Sequence, residues 1–210
     1  MPKGFTDQEK IDIDKALRME GKQLFETQGF RKTSVQDITE AVGIAKGSFY
    51  LFYGSKEELF LTILEHIESH MHGQIANQLM EASLPMADRM KQMWRTQFQV
   101  MAKEPILRQT LEPGLMERIW RKISKEKQAD NIQKDVDFVD QLKQLAPPGS
   151  LMAKMAPETL AGLFRSLVFL QLHEAEIGQE AYPQVLDFHI EAMVDRLFGP
   201  MSSEPPGRQD

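Results

Sequence analysis

Cysteine is absent from the 210 residues, which excludes disulfides and thiolate metal sites. No apolar run approaches the ~18 residues of a membrane span, and the opening MPKGFTDQEK lacks the apolar core of a secretory signal. A positive excess is also missing, since the formal net charge is −6. HExxH, GxSxG, P-loop and GxGxxG patterns do not occur. These absences predict a cytoplasmic chain with no membrane partner, no cofactor and no enzymatic role. They argue against a sequence-blind polycationic binder of nucleic acid. The charge is nonetheless uneven. Residues 1–56 carry 9 Lys+Arg against 8 Asp+Glu, which leaves 16 against 23 for residues 57–210. The acidic excess therefore lies outside the first quarter of the chain.

What is present is helical periodicity throughout. Ile13, Leu17, Leu24 and Phe25 recur at helical spacing from about residue 10 to 28. Gly21 shares their face, and its cost in a helix interior, roughly 1 kcal/mol, points to a close helix crossing. Gly29 is placed to stop this helix. Thr33 or Ser34 caps a second helix with Ile38, Ala41 and Val42 as its buried face, and Gly43 supplies a sharp turn. A third helix is expected over 46–52. Ser55 and Glu58 then form a capping box that opens a long fourth helix. Two short helices joined by a glycine turn are the outline of a helix-turn-helix, which lays its second helix in the DNA major groove.

Further helices are expected over about 85–103, 105–111, 113–127, 129–146, 157–177 and 182–198. Pro147-Pro148-Gly149 is the clearest loop between them. The fold class is all-α, with about nine helices. A three-helix DNA-binding domain is expected over 1–54, a helical body over 55–199, which the family resemblance given next implies is a ligand-binding and dimerisation domain, and a disordered tail over 200–210.

The head resembles the N-terminal DNA-binding domain of the TetR family of bacterial transcriptional repressors. The resemblance is carried by Leu24-Phe25, Gly29-Phe30, Thr33-Ser34-Val35, Ile38, Ala41, Gly43-Ile44, Lys46-Gly47-Ser48-Phe49-Tyr50, Tyr53 and Ser55-Lys56-Glu57-Glu58-Leu59-Phe60. It implies a homodimer that binds a double-stranded DNA operator and releases it when a small-molecule effector binds the C-terminal domain. Leu51 and Phe52 stand where family members often have His or Tyr, and Gly54 where Lys is frequent. Gln36, Lys46 and Ser48 are the expected base readers, with Gly47 admitting the backbone close to the DNA. Thr33, Ser34, Tyr50 and Lys56 are the expected phosphate contacts.

For the body, an apolar stripe of Met90, Met93, Trp94, Phe98, Met101, Met116 and Trp120 is the candidate ligand lining, set against an ordinary core. Leu163, Leu167, Leu170, Phe188, Met193 and Leu197 on the last two helices are the candidate dimer interface. Two alternatives stand beside this reading. One is a helix-turn-helix regulator controlled by a protein partner. The other is a small metal-dependent hydrolase built on His66 and His70, which are spaced i, i+4 on one helix.

Overall fold

A computed structural model describes residues 5–80 and 84–199. Among them the chain forms twelve helices and no strand. They are α1 (Asp7–Gln28), α2 (Val35–Val42), α3 (Lys46–Phe49), α4 (Lys56–Met80), α5 (Met86–Lys103), α6 (Pro105–Thr110), α7 (Leu115–Lys122), α8 (Lys125–Lys143), α9 (Leu151–Lys154), α10 (Pro157–Leu172), α11 (Glu174–Ile177) and α12 (Tyr182–Phe198). The expected tail, 200–210, lies outside the described residues, as do residues 1–4 of the N-terminal arm.

Local chemistry sets most of these boundaries. Thr6 and Glu9 cap α1 reciprocally, and Ser34 rather than Thr33 caps α2 in the same way with Asp37. At α4 the box is altered. The Glu58 amide donates to the Ser55 hydroxyl, but the Glu58 carboxylate accepts from the Gly54 amide. Helix α3 is a single turn, shorter than the 46–52 expected, and the chain continues curled as Leu51 and Phe52 donate to the carbonyls of Ser48 and Phe49. The expected helix 157–177 is broken at His173, whose backbone leaves the helical region, so α11 stands apart. Ala41 is exposed, and Thr39 takes the buried place beside Ile38.

The packing does not divide at 54/55. One compact unit comprises Met1–Met71 with Val100–Asn131, the other His72–Gln99 with Ile132–Asp210. The reason is the core of the first unit. Leu17, Phe25, Phe30, Ile38, Phe49, Leu59 and Phe60 cluster with Ile106, Leu107, Leu115, Ile119 and Ile123. Each such side chain contributes roughly 1.5–3 kcal/mol on burial, so α6 and α7 belong energetically to the head. The rings of Phe25, Phe30 and Phe60 meet at 5.0–5.6 Å. In the second unit α12 contacts α9 and α10, and α5 is tied to α12 by charge. Lys91 reaches Glu191 and Asp195 at 2.5 and 2.6 Å, and Arg95 reaches Asp187 and Glu191 at 2.7 and 2.5 Å.

Gly21 is buried where α1 crosses α4. A β-carbon there would stand 3.0 Å from Leu59 Cδ2 and 3.3 Å from Ile63 Cδ1. Both are ends of flexible side chains. Gly21→Ala therefore changes stability by less than about 1 kcal/mol, because the helix-propensity gain offsets the crowding. Gly21→Leu costs about 1–3 kcal/mol through overpacking, as urea denaturation would measure. A second expectation concerns the α2 cap. The Ser34 amide, and after it the Ser34 hydroxyl, hold the Asp37 carboxyl below the usual carboxylate range. A lowered folded value stabilises above the unfolded pKa of ~3.9, and that stabilisation is lost as pH falls through the folded value. Ser34→Ala raises the Asp37 midpoint toward its ordinary value in an NMR titration.

Candidate nucleic-acid interface

The turn between α2 and α3 is built from the end of α2. The Thr39 hydroxyl donates to the carbonyls of Val35 and Gln36, both at 3.0 Å, which fixes a buried polar side chain against its own helix. Gly43 then turns the chain at φ 77°, a left-handed conformation that favours glycine, and its amide donates back to Glu40 and Thr39. Ile44 follows half-buried.

Burial of Phe49 orients α3. Its ring is fully enclosed, 5.4 Å from Tyr50 and 5.9 Å from Tyr53. With Phe49 inward, Lys46, Gly47 and Tyr50 are exposed and Ser48 is half-buried. Gly47 faces open space, with nothing within 4 Å of where a β-carbon would stand. Gln36 is exposed on α2 and donates to Glu40 at 2.9 Å. Ser34 is exposed while its hydroxyl accepts from the Asp37 amide at 3.2 Å. The structure thus gathers Ser34, Gln36, Lys46, Gly47 and Tyr50 as accessible groups on the two helices of the motif.

Thr33 and Lys56 are turned inward instead. Thr33 is 1% exposed, and its hydroxyl donates to the Gly29 and Leu24 carbonyls at 2.9 and 3.3 Å. The Lys56 ammonium donates to the carbonyls of Phe30 and Thr33 at 2.7 and 2.6 Å and lies 4.2 Å from the Phe30 ring centroid. Burial, with a smaller push from Arg118, lowers its pKa. These two side chains hold the turn that carries α2.

Two supporting residues have no sequence signal. Gln109 is buried, accepts from the Phe30 amide at 2.7 Å and donates to the Phe25 carbonyl at 2.8 Å. A glutamine amid the alternating residues of 105–111 reads as a solvated position. Lys127 donates to Glu58 at 2.9 Å from far along the chain. Tyr53 donates to Asp14 at 2.5 Å, and Asp14 pairs with Arg18 at 2.8 Å. Burial first, then this bond to Asp14, drives the Tyr53 phenol well above its ordinary value. Leu51 projects beside Tyr50 at 74% exposure and, with Phe5, Lys10, Ile11, Asp14 and Phe52, lines an open cavity of about 590 Å³.

The other predicted sites are distributed unevenly. Nε2 of His66 faces the Arg18 guanidinium, a neighbour that opposes a bound cation. Among the described residues no group of three or more His, Asp or Glu forms a metal set. Of the candidate ligand lining, Met90, Met93, Trp94 and Phe98 belong to the second unit, and Met101, Met116 and Trp120 to the first. Of the candidate dimer residues, Leu167 and Leu197 are 2% and 1% exposed and belong to the core of their own unit, which corrects their assignment to a surface. Leu163, Leu170 and Met193 are half-buried, and Phe188 is 70% exposed. Phe169, at 53%, is an exposed aromatic outside the expected set.

Residues 20–63 match the family described as bacterial regulatory proteins, tetR family. Over 82 residues the chain is 36% identical to the HTH-type transcriptional repressor DhaR of Mycobacterium sp. (strain GP1), covering 39% of this chain and 41% of that one. The chain spans less than half the length of the curated relatives it matches. A TetR-family regulator from Pectobacterium atrosepticum shares the fold at a TM-score of 0.68 and 19% identity, over 93% of this chain and 98% of that one. SmeT, repressor of a Stenotrophomonas maltophilia multidrug efflux pump, shares it in its triclosan complex at 0.53 and 16%, over 94% and 100%. The matched segment runs from α1 through the first turns of α4, where the helix-turn-helix is built, and this segment is that of the TetR family of transcriptional regulators.

Proposed function

We propose that the chain acts in the cytoplasm as a repressor that binds a palindromic DNA operator as a homodimer and is released by a small-molecule effector. The observation that carries the DNA reading is the single turn of α3, with Phe49 locked inward and Lys46, Gly47 and Tyr50 outward beside exposed Gln36. Lys46 suits guanine O6/N7, Gln36 suits adenine, and Ser48 donates or accepts at close range. Tyr50 and Ser34 suit phosphate oxygens, which set register. Thr33 and Lys56 act from beneath by fixing the turn before α2. Residues 1–54 carry the reading and 55–199 the response.

Dimerisation is supported by the last long helices. Phe169 on α10 and Phe188 on α12 are large apolar side chains left in water, although both helices bury their opposite faces. A two-fold pairing of α10 and α12 would cover them as a four-helix bundle. A two-fold protein then reads half-sites about one helical turn, ~34–36 Å, apart. The effector acts through a higher affinity for the DNA-free state, since equal affinity for both states would shift nothing.

Lys46→Ala, measured on duplex DNA selected from a random pool by the parent protein, loses about 1–3 kcal/mol of discrimination if it reads a base. Tyr50→Phe weakens binding on all sequences and lowers the salt slope by about 1. Parental affinity in both variants at moderate salt would remove α3 from the interface. Light scattering tests the assembly: the parent is dimeric at micromolar concentration and Phe188→Asp is monomeric. A monomeric parent sinks the two-fold model.

A further inference from the structure

The chain keeps its helical curl for one turn beyond α3. The amides of Leu51 and Phe52 donate to the carbonyls of Ser48 and Phe49 at 3.1 and 3.0 Å, and the Tyr53 amide donates to Phe49 at 3.0 Å. Residues 46–53 therefore share one helical surface, on which positions four apart lie one above the other. Phe49 and Tyr53, 0% and 5% exposed, form its inward stripe. At about 100° per residue, Gly47 and Leu51 each stand about 160° from Phe49. Together they are the outward pole of the motif's second helix.

Exposure agrees with this placement. Leu51, at 74%, is the most exposed large apolar side chain among the described residues. Gly47, one turn earlier, has no side chain to shield it, and nothing stands within 4 Å of where its β-carbon would be. A side chain on helical backbone leans toward the preceding turn, so the Leu51 isobutyl group covers the ground above Gly47. Phe5, Ile11 and Phe52 line the open cavity beside Leu51 without burying it.

Chemistry narrows what this group can meet. The accessible side chains around it, Lys46, Tyr50 and Gln36, offer hydrogen bonds, and leucine offers none. Against a phosphate it would displace water from the charge and return no bond. In the major groove the 5-methyl group of thymine is the apolar feature among the donors and acceptors of the base edges. A helix laid in that groove brings its outward pole closest to those edges.

We infer that Leu51 is a base-reading residue that packs on the 5-methyl group of a thymine in each operator half-site, with Gly47 leaving room for the approach. The inference rests on the reading that α3 enters the major groove, and it names the base that the apolar part of that surface selects.

The test uses the full chain and the duplex that the parent retains from a random pool. Each thymine is replaced in turn by uracil, which removes the methyl group and keeps every hydrogen-bonding atom. At one position per half-site this weakens parental binding about fourfold, the effect of returning one methyl group to water. Leu51→Ala binds the thymine duplex about fourfold more weakly and is indifferent to uracil at that position. Leu51→Met, apolar and of similar volume, keeps the thymine preference. The salt slope of Leu51→Ala matches the parent's, because no phosphate contact is lost. Ile11→Ala, which alters the same cavity from α1, retains the preference as well. Parental binding indifferent to uracil at every position, or a Leu51→Ala variant with the parent's full uracil penalty, overturns the inference and leaves Lys46 and Tyr50 as contacts. An equal loss by Leu51→Ala on both duplexes, with the uracil penalty intact, makes Leu51 a wall of the cavity and overturns it too. If the parent retains no duplex at all, the DNA reading falls and this inference falls with it.

Discussion

The main chain between α1 and α2 must find hydrogen-bond partners inside the protein, because the rings of Phe25, Phe30 and Phe60 close over it. Three side chains meet that demand. Gln109 of α6 takes the Phe30 amide and reaches the Phe25 carbonyl, Lys56 of α4 takes the carbonyls of Phe30 and Thr33, and the Thr33 hydroxyl closes on Gly29 and Leu24. Each is a polar group buried with its partners in place, so the low local dielectric strengthens rather than penalises it. The position of α2, and through it of α3, depends on this small set of bonds.

The exposed face of the motif follows from what is buried beneath it. Phe49 enters the core, so its helical neighbours Lys46, Gly47 and Tyr50 cannot. Gly43 reverses the chain closely enough that the exposed Gln36 belongs to the same two-helix motif. Affinity for a polyanion is compatible with a net charge of −6 because the field that matters is local, and residues 1–56 lack the acidic excess.

The second unit solves a different problem. Its α5 and α12 are joined by ion pairs of Lys91 and Arg95 with three carboxylates, which hold Glu191 below its ordinary pKa through Lys91 and then Arg95. Five of its enclosed side-chain atoms, on Arg89, Trp94, Gln97, Gln171 and Tyr182, have no hydrogen-bond partner in the fold itself. Such sites are stability given up locally, a common correlate of binding. The head has its buried polar side chains paired, whereas the second unit leaves several unpaired.

The sequence by itself determined the helical class, a cap of α2 at Thr33 or Ser34, the Ser55 cap of α4, the turn at Gly43 and the inward Phe49, because these are set by neighbours within a few residues. It also made the family legible, since those same positions carry the resemblance. Gly21 was readable too, as a glycine whose cost demanded a close crossing. Only the tertiary structure decided what distant segments supply. Gln109 and Lys127 lie more than 65 residues from their partners in the head, so no local pattern marks them. Thr33 and Lys56 look like surface polar residues until the carbonyls they serve are located. The same holds for α6 and α7, which join the head because its aromatic core is larger than the first four helices alone can cover.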